Sequence, residues 1–318
     1  MEIKSLDENL RPKTLKDYIG QSNIKKQLEV FLKSAKTRNK PIDHILITGS
    51  AGLGKTSLAQ VIANELNRNI IITSAPILDK KGDIAGILAS LNEGDILFID
   101  EIHRLNPATE EILYSALEDF CIDVIIGKKT TAKTIRINLP KFTLIGATTR
   151  IGMLTNPLIS RFGIILKMEF YTEEELKEII KRSADILGIK ITDEGALEIG
   201  KVSRGTPRIA NRLLKRVYDY SIVHNKDVID LETAKQALKF LGINSYGLDD
   251  TDIKYLKLLV EKFNGKPVGL NTIVSALAED KYTVEEIIEP YLLRLGLIER
   301  TSRGRIATER AKNFLKML

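Results

Sequence analysis

Gly49-Ser50-Ala51-Gly52-Leu53-Gly54-Lys55-Thr56 is the stretch on which the fold turns. Its spacing is G-x-x-x-x-G-K-[ST], a phosphate-binding loop that carries this meaning only between a strand and a helix. Both flanks comply. Ile45-Leu46-Ile47-Thr48 reads as a buried strand, and the pattern from Lys55 and Thr56 through Ser57 to Leu66 is helical. The glycines let backbone N–H groups curl round phosphate oxygens, and the helix N-terminus adds positive potential. Lys55 would reach the β- and γ-phosphates, and the Thr56 hydroxyl would bind Mg2+. A chance glycine-rich turn is the competing reading, and the strand and helix on either side disfavour it.

Outward from the loop, short apolar runs alternate with helical patterns to about residue 170. Ile45–Thr48, Ile70–Thr73, Ile96–Ile99, Phe142–Ala147 and Ile164–Met168 read as strands. Lys55–Leu66, Ile84–Leu91 and Ala108–Asp119 read as helices. Apolar strands separated by helices imply a parallel sheet covered on both faces. Ligands of such sheets bind at the carboxyl ends of the strands. The third strand runs into Asp100-Glu101, four apolar residues followed by two acids. Asp100 would hold the Mg2+ shell and Glu101 would polarise the attacking water, the two roles that ATP hydrolysis needs. Taken alone, such acids mark a solvated helix start; beside the phosphate loop they read as catalytic. His103 reads as a surface or capping residue without chemistry, and His44 is given none either.

Cys121 to Ile137 places two β-rich runs around a Gly/Lys/Thr tip, so a β-hairpin is expected. Val124, Ile125 and Ile126 leave an apolar residue on each face. Two readings stand: a sticky exposed face that marks a partner site, or a hairpin packed on its own domain. The fourth strand ends Gly146-Ala147-Thr148-Thr149-Arg150, where a polar side chain would sense the γ-phosphate. Arg161 follows a short helix and matters only if a neighbouring subunit's ATP lies opposite it. The polar lead-in holds Leu10-Arg11-Pro12-Lys13 and Asp17-Tyr18-Ile19-Gly20-Gln21, whose apolar residues cover a base or pack on the core; periodicity favours packing.

From Tyr171 to about Leu241 the pattern is helical. Thr172 and three acids open one helix, and Gly205-Thr206-Pro207 opens another from Arg208. A linker covers 242–247. Helices over Asp250–Lys262, Leu270–Ala278 and Val284–Leu295 then precede two short strands around Ser302-Arg303-Gly304, a winged-helix pattern. Residues 294–316 hold seven basic groups against Glu299 and Glu309, so most of the chain's net +6 sits beside the wing. That is the footprint of phosphate-backbone binding; a solvated terminal helix is the bland alternative. With no aromatic interleaving, backbone contact without base readout is expected. A single cysteine, Cys121, excludes an internal disulfide and fits a buried thiol in a reducing compartment. No apolar stretch is long enough to span a membrane, and the first residues lead into no signal core. An intracellular protein is expected.

Several of these motifs run in one order: both nucleotide motifs, Gly-Ala-Thr-Thr-Arg, Pro-Leu-x-x-Arg-Phe-Gly, Gly-Thr-Pro-Arg and Arg-Thr-x-Arg-Gly-Arg. In this the chain resembles the RuvB family of AAA+ Holliday-junction branch-migration motors, over nearly its whole length. The resemblance implies an α/β plus α fold in three parts. Residues 1–170 would form an AAA+ P-loop parallel-sheet domain with the hairpin inserted at about 121–138. Residues 171–244 would form a small helical lid, and 245–318 a winged-helix DNA-binding domain. It implies ATP or ADP and Mg2+ as cofactors. The implied partners are double-stranded DNA at Holliday junctions, RuvA, the resolvase RuvC and further copies in a hexameric ring. The implied place is the bacterial cytoplasm, with no membrane partner.

The resemblance also implies residue roles. Thr149 would be the first sensor, Arg161 the arginine finger towards the adjacent subunit's ATP, and Arg208 the second sensor. Leu10, Arg11, Tyr18, Ile19 and Tyr171 would line the nucleotide pocket with Gly52, Gly54 and Ser57, and Glu118, Asp119 and Phe120 would approach it. Arg300, Arg303 and Arg305 would touch DNA phosphates, and the hairpin, through Ile125, Ile126 and Ile135, would dock on RuvA. Two departures from the family pattern stand out. Ser50-Ala51 replaces the usual Pro-Pro, which implies a looser phosphate loop. Ile159-Ser160 replaces Arg-Asp, which puts a second interfacial arginine in question. The alternative is a clamp-loader-like or initiator-like AAA+ ATPase that loads a partner onto DNA; the winged helix argues against a clamp loader, whose collar is helical.

Overall fold

The computed structural model describes residues 9–126 and 133–317, excepting the side chains at 124–126, 133 and 134. It divides into two units, Met1–Tyr171 and Thr172–Leu318. The first is built on β1 (Ile45–Thr48), β2 (Ile70–Ser74), β3 (Ile96–Asp100), β6 (Thr143–Thr148) and β7 (Ile164–Lys167), with β4 (Cys121–Ile126) and β5 (Lys133–Asn138) set apart as a hairpin. The five sheet strands are all parallel, in the order β2-β3-β6-β1-β7. Burial follows position in that order. All residues of β1 and β6 are buried, whereas edge strand β7 alternates buried and exposed. Central strands of a parallel sheet are covered on both faces, which is why their sequences are apolar without alternation.

Helices α1 (Ser22–Arg38), α2 (Lys55–Leu66), α3 (Lys81–Ser90), α4 (Pro107–Glu118) and the single turn α5 (Asn156–Ile159) surround the sheet. Ile84 and Leu88 of α3 and Leu113 and Ala116 of α4 share a core with Leu46, Leu97, Ile99 and Leu144 of the strands. Helix α2 packs on β3 and β6. The expected elements are present with shifted ends. β6 runs on to Thr148, because Thr148 stays in parallel register with Thr48. α3 starts at Lys81, earlier than the apolar period shows, because the Asp83 carboxylate accepts the Lys80 N–H and caps the turn.

In the hairpin, β4 and β5 pair antiparallel with Val124 opposite Ile135 and Ile122 opposite Ile137. Cys121 and Ile122 are buried at its base, whereas Ile135 and Ile137, two residues apart on one face, are exposed. The opposite face carries the Asp123–Arg136 bridge at 3.0 Å. Ile125 and Ile126 lie outside the described side chains.

The second unit begins with a bundle of α6 (Glu173–Leu187), α7 (Asp193–Lys201), α8 (Pro207–Val223) and α9 (Leu231–Phe240). The hydroxyls of Thr172 and Thr192 and the Asp230 carboxylate cap α6, α7 and α9. Then come α10 (Asp250–Lys257), α11 (Leu270–Leu277), α12 (Glu289–Arg294), the antiparallel pair β8 (Ile298–Thr301) and β9 (Gly304–Ala307), and α13 (Glu309–Met317). Two helices expected to be regular open into wide turns, at Leu258–Lys262 and Thr283–Ile288. The second ends next to Pro290, which has no N–H for the regular ladder. Tyr255, Leu256, Leu259, Ile273, Val284 and Leu292 form the winged-helix core. Among the described residues no helix is long and apolar enough to cross a membrane.

Arg204 ties the bundle to the winged helix. It donates to the Gly247 carbonyl at 2.9 Å and to the carboxylates of Asp249 at 3.1 Å and Asp252 at 2.5 Å, and its guanidinium lies 5.1 Å from the Tyr291 ring centre. Asp252 is 1% exposed, and its Oδ1 has no partner among the described residues. Burial, only partly offset by Arg204, lifts the Asp252 carboxyl from the ordinary 3.8 to about 6. A carboxyl raised in the folded state binds its proton more tightly than the unfolded chain does, so ionising it costs stability. The contribution is therefore complete below about pH 4 and lost as pH rises through about 6. A rise of this size corresponds to about 3 kcal/mol. We expect the difference in unfolding free energy between the wild type and Asp252→Asn to change by that order between pH 4 and 7. A difference that stays flat in urea titrations across this range would contradict the assignment.

Candidate active site and nucleic-acid interface

The phosphate loop leaves the buried end of β1 and enters α2. Gly54 precedes the helix at φ 99°, no side chain caps it, and the Gly54 carbonyl accepts the Leu58 N–H at 2.9 Å. An uncapped N-terminus facing a loop is an anion site of backbone amides. Gly49, Gly52 and Gly54 all have positive φ, and at two of them a side chain would also meet a neighbour. At Gly49, φ is 147° and a Cβ would lie 3.0 Å from Met168; at Gly54 it would lie 3.1 Å from the Tyr18 hydroxyl. Lys55 is buried, with Nζ donating to the carbonyls of Gly49 at 2.8 Å and Ser50 at 3.0 Å. Its ammonium is thus held inside the loop's own curve.

Tyr18 and Tyr171, both buried, brace this loop from behind. The Tyr171 hydroxyl donates to the Leu53 carbonyl at 3.2 Å, the Tyr18 hydroxyl reaches the Gly54 carbonyl at 3.4 Å, and the two hydroxyls meet at 3.3 Å. Burial, reinforced by Tyr171, pushes the Tyr18 phenol well above its ordinary range, so it stays a neutral donor. Leu10 is also buried, and Arg11 and Ile19 are half-buried. Packing, which periodicity favours for this lead-in, is what the buried Leu10 and Tyr18 do, and Tyr18 directs it at the loop.

Asp100 ends β3, with β6 between it and β1, so it stands about 10 Å, two strand spacings, from the loop strand. Its Oδ1 accepts the N–H of Glu101 at 2.9 Å. Glu101 itself adopts φ 51°, a left-handed conformation rare for a side chain of this kind. Its carboxylate lies 3.3 Å from Nε2 of His103, whose Nδ1 lies 2.9 Å from the Thr148 hydroxyl. Sequence pattern gives His103 no role, yet its ring is 6% exposed and linked on both sides. The Glu-x-His spacing is visible in the sequence, but not which way the turn after β3 points the ring. Thr149, next to Thr148, is half-buried.

Arg161 is gripped by α4 and α5. It donates to Glu118 Oε2 at 2.7 Å, to the Tyr114 carbonyl at 3.3 Å and to the Pro157 carbonyl at 2.6 Å, and lies 4.7 Å from the Tyr114 ring centre. Glu118 therefore belongs with Arg161. Asp119 is exposed beside it, and Phe120 joins an aromatic cluster with His44 and Phe142, ring centres 6.2 and 5.9 Å away. Arg208, in the second unit, is exposed in the first turn of α8.

In the wing the three arginines separate. Arg300 and Arg305 face each other across β8 and β9. Directly opposed like charges destabilise a sheet, and the fully buried Glu289 resolves this. Its Oε2 accepts from Arg300 at 2.6 Å, and its Oε1 accepts from Arg305 at 2.8 Å and from the Tyr255 hydroxyl at 3.0 Å. Arg305 is only 15% exposed and also pairs with Glu285. Arg303 sits exposed at the turn. The basic excess beside the wing is thus partly neutralised by two glutamates that lie outside the window 294–316 counted in the sequence.

A phosphate loop on a parallel sheet, acids on the strand two places away, a helical lid and a winged helix define a P-loop nucleotide-binding protein of the AAA class. The family models say which. Residues 10–168 match the Holliday junction DNA helicase RuvB P-loop domain, 171–244 the RuvB AAA lid domain, and 245–316 the RuvB C-terminal winged helix domain. The chain belongs to the RuvB family. It is 54% identical over 319 residues to the Holliday junction branch migration complex subunit RuvB of Staphylococcus haemolyticus, covering 99% of this chain and 96% of that protein. The subunit of the same name from Fusobacterium nucleatum is 55% identical over 98% of this chain and 94% of its own length. The solved Thermotoga maritima RuvB Holliday junction branch migration motor superposes with a TM-score of 0.88 at 51% identity, covering 97% of this chain and 98% of that one. An ORC2 protein of Aeropyrum pernix, at 15% identity and a TM-score of 0.60, shares the fold alone.

Two outcomes are expected. Gly54→Ala forces a side chain to φ 99° against Tyr18, a strain of about 1–3 kcal/mol. Fluorescent ADP should bind about tenfold or more weakly; unchanged binding would show that the loop tolerates a Cβ. Arg303→Ala should lower duplex affinity alike for unrelated sequences and leave the unfolding midpoint in place. Arg305→Ala should instead destabilise the second unit by about 3–5 kcal/mol, since it strips a partner from a buried carboxylate. Equal thermal shifts in the two variants would overturn this division.

Proposed function

We propose that the chain is an ATP-driven DNA translocase of the bacterial cytoplasm that moves Holliday junctions in recombination and repair, working with RuvA as a hexameric ring. The family membership supports this, and so do its relatives' names, branch migration complex subunits. The observation that carries it is the division of the site. Lys55, Thr56, Asp100 and Glu101 gather at the carboxyl end of one sheet, while the polar partners of Arg161 come from α4 and α5. An arginine held there suits a site completed by a neighbouring copy.

In this reading the loop amides and Lys55 bind the β- and γ-phosphates, Tyr18 and Tyr171 keep the loop in shape, and Glu101 orients the attacking water. Thr56 and Asp100 would hold Mg2+. The donor set, a hydroxyl and one carboxylate, suits an ion that keeps waters and takes phosphate oxygens, and when bound the ion neutralises charge developing on the phosphates. Thr149 and Arg208 would act as sensors, Leu10, Arg11 and Ile19 would border the nucleotide, and Arg161 with Glu118 and Asp119 would face the next subunit's nucleotide. Phe120 supports this edge from the core. Residues 1–170, 171–244 and 245–318 would serve as motor, lid and DNA-binding parts. Arg303 would lead the phosphate contacts, with Arg300 and Arg305 shaping the wing behind it. The apolar hairpin face at Ile135 and Ile137 would dock on RuvA, and RuvC would act at the same junction.

The test is migration of a synthetic four-way junction with ATP and Mg2+, with and without RuvA, for the wild type, Glu101→Gln and Arg161→Ala. Migration that needs RuvA and ATP and is lost in both variants is the expected outcome. ATP hydrolysis without junction movement would favour a motor that loads a partner onto DNA. Full turnover in Arg161→Ala would remove the shared site.

A further inference from the structure

The turn after β3 and the end of β6 are joined by side chains that none of the nucleotide motifs accounts for. His103 lies between Glu101 Oε2, 3.3 Å from Nε2, and the Thr148 hydroxyl, 2.9 Å from Nδ1. Thr148 is fully buried, and its hydroxyl also accepts the N–H of Arg150 at 2.9 Å. Its carbonyl accepts the N–H of Gly49, the first residue of the phosphate loop, at 3.2 Å. One residue thus touches the loop, the strand end that bears Thr149, and the ring that meets Glu101.

The chemistry of the groups gives this chain a direction for a neutral imidazole. An ionised carboxylate only accepts, so the neutral tautomer that suits both neighbours of His103 carries its proton on Nε2, on the side of Glu101. Nδ1 is then an acceptor, and the Thr148 hydroxyl, one lone pair taken by the Arg150 N–H, donates its single proton to it. In that tautomer the donors run Arg150 N–H to Thr148 and Thr148 O–H to Nδ1, and the Nε2–H side of the ring meets Glu101 at 3.3 Å. Glu101 also starts from a left-handed backbone, φ 51°, and its carboxylate lies beside the ring.

We propose that His103 is a positioning residue for Glu101, and that Thr148 is its anchor, so that the end of β6 sets where the Glu101 carboxylate points. The imidazole touches no phosphate and takes no proton from water. It holds one carboxylate oxygen and leaves the other to orient the nucleophile. Because Thr148 stands next to Thr149 and bonds the first residue of the phosphate loop, a displacement of β6 reaches Glu101 through the Thr148–His103 hydrogen bond and the 3.3 Å contact of His103 with the Glu101 carboxylate. This rests on the reading of the site as an ATPase.

The experiment is steady-state ATP hydrolysis by the full chain together with fluorescent-ADP binding. Wild type, Glu101→Gln, His103→Ala, Thr148→Val, Thr148→Ser and the double variant His103→Ala/Thr148→Val are compared. His103→Ala and Thr148→Val are each expected to lower kcat about tenfold or more, with KM for ATP and ADP affinity within about twofold of wild type. The double variant should fall no further than the lower single one, because both act through one path. Thr148→Ser, which keeps the hydroxyl, should recover kcat. Single variants that raise KM and weaken ADP binding instead, or losses that multiply in the double variant, would show a structural role and overturn the proposal. Thr148→Ser as impaired as Thr148→Val would do the same. Wild type that hydrolyses while His103→Ala matches it refutes the positioning role alone; a wild type that hydrolyses no ATP removes the ATPase reading and this inference with it.

Discussion

The parallel register of β1 and β6 is the constraint on which the site depends. Thr48 lies beside Thr148, and the strand hydrogen bonds continue past the sheet into the loop through Gly49 and the Thr148 carbonyl. The loop can curl around an anion only if its start is fixed, because its own backbone sits in conformations that most residues avoid. β6 supplies that fixed point, and its full burial makes it stiff. The other supports act on the same stretch. Tyr171 and Tyr18 hold the carbonyls of Leu53 and Gly54, and the Lys55 ammonium closes on those of Gly49 and Ser50. Bonds from Tyr18, Tyr171 and Thr148 outside the loop and from Lys55 within it together restrain it.

The wing places its charge in two environments. Ionised groups are brought into a protein interior only with partners, because desolvation is expensive. Glu289 is buried completely and has three donors, two of them arginines from a two-stranded sheet. Those arginines are the price of closing the small core of the winged helix around a carboxylate. The turn between the strands has no such duty, so Arg303 stays solvated. Counting charge along the chain treats the three alike, whereas burial separates them.

Arg204 makes a related point inside the second unit. It leaves the bundle in a left-handed conformation and reaches two carboxylates and a carbonyl of the segment that starts the winged helix. Its neighbours in sequence, Gly205-Thr206-Pro207-Arg208, attract notice as a motif; Arg204 does not, because nothing local distinguishes a solvated arginine from one that holds two elements together. The same holds for His103, whose local pattern is that of a capping residue, and for Tyr18, whose burial is legible but whose target is not. In each case a partner lies more than thirty positions away, as Thr148 does from His103, Gly54 from Tyr18 and Asp249 from Arg204. Periodicity reports which face a residue occupies, not what meets it there.

Local pattern was enough for the phosphate loop, the acids after β3, the order of strands and helices, the uneven charge near the C-terminal wing and the family likeness. These are properties of short stretches, and they survive because backbone geometry ties spacing to structure: four apolar residues can be a buried strand, and G-x-x-x-x-G-K-[ST] can wrap a phosphate whatever surrounds it. Strand order in space, the pairing of Arg161 with Glu118, the sharing of Glu289 and the path from Thr148 through His103 to Glu101 were decided only by the tertiary structure. Each is a contact between groups on different elements, whose strength depends on distance, burial and the direction of a hydrogen bond, and none of those three quantities is written in the order of the residues.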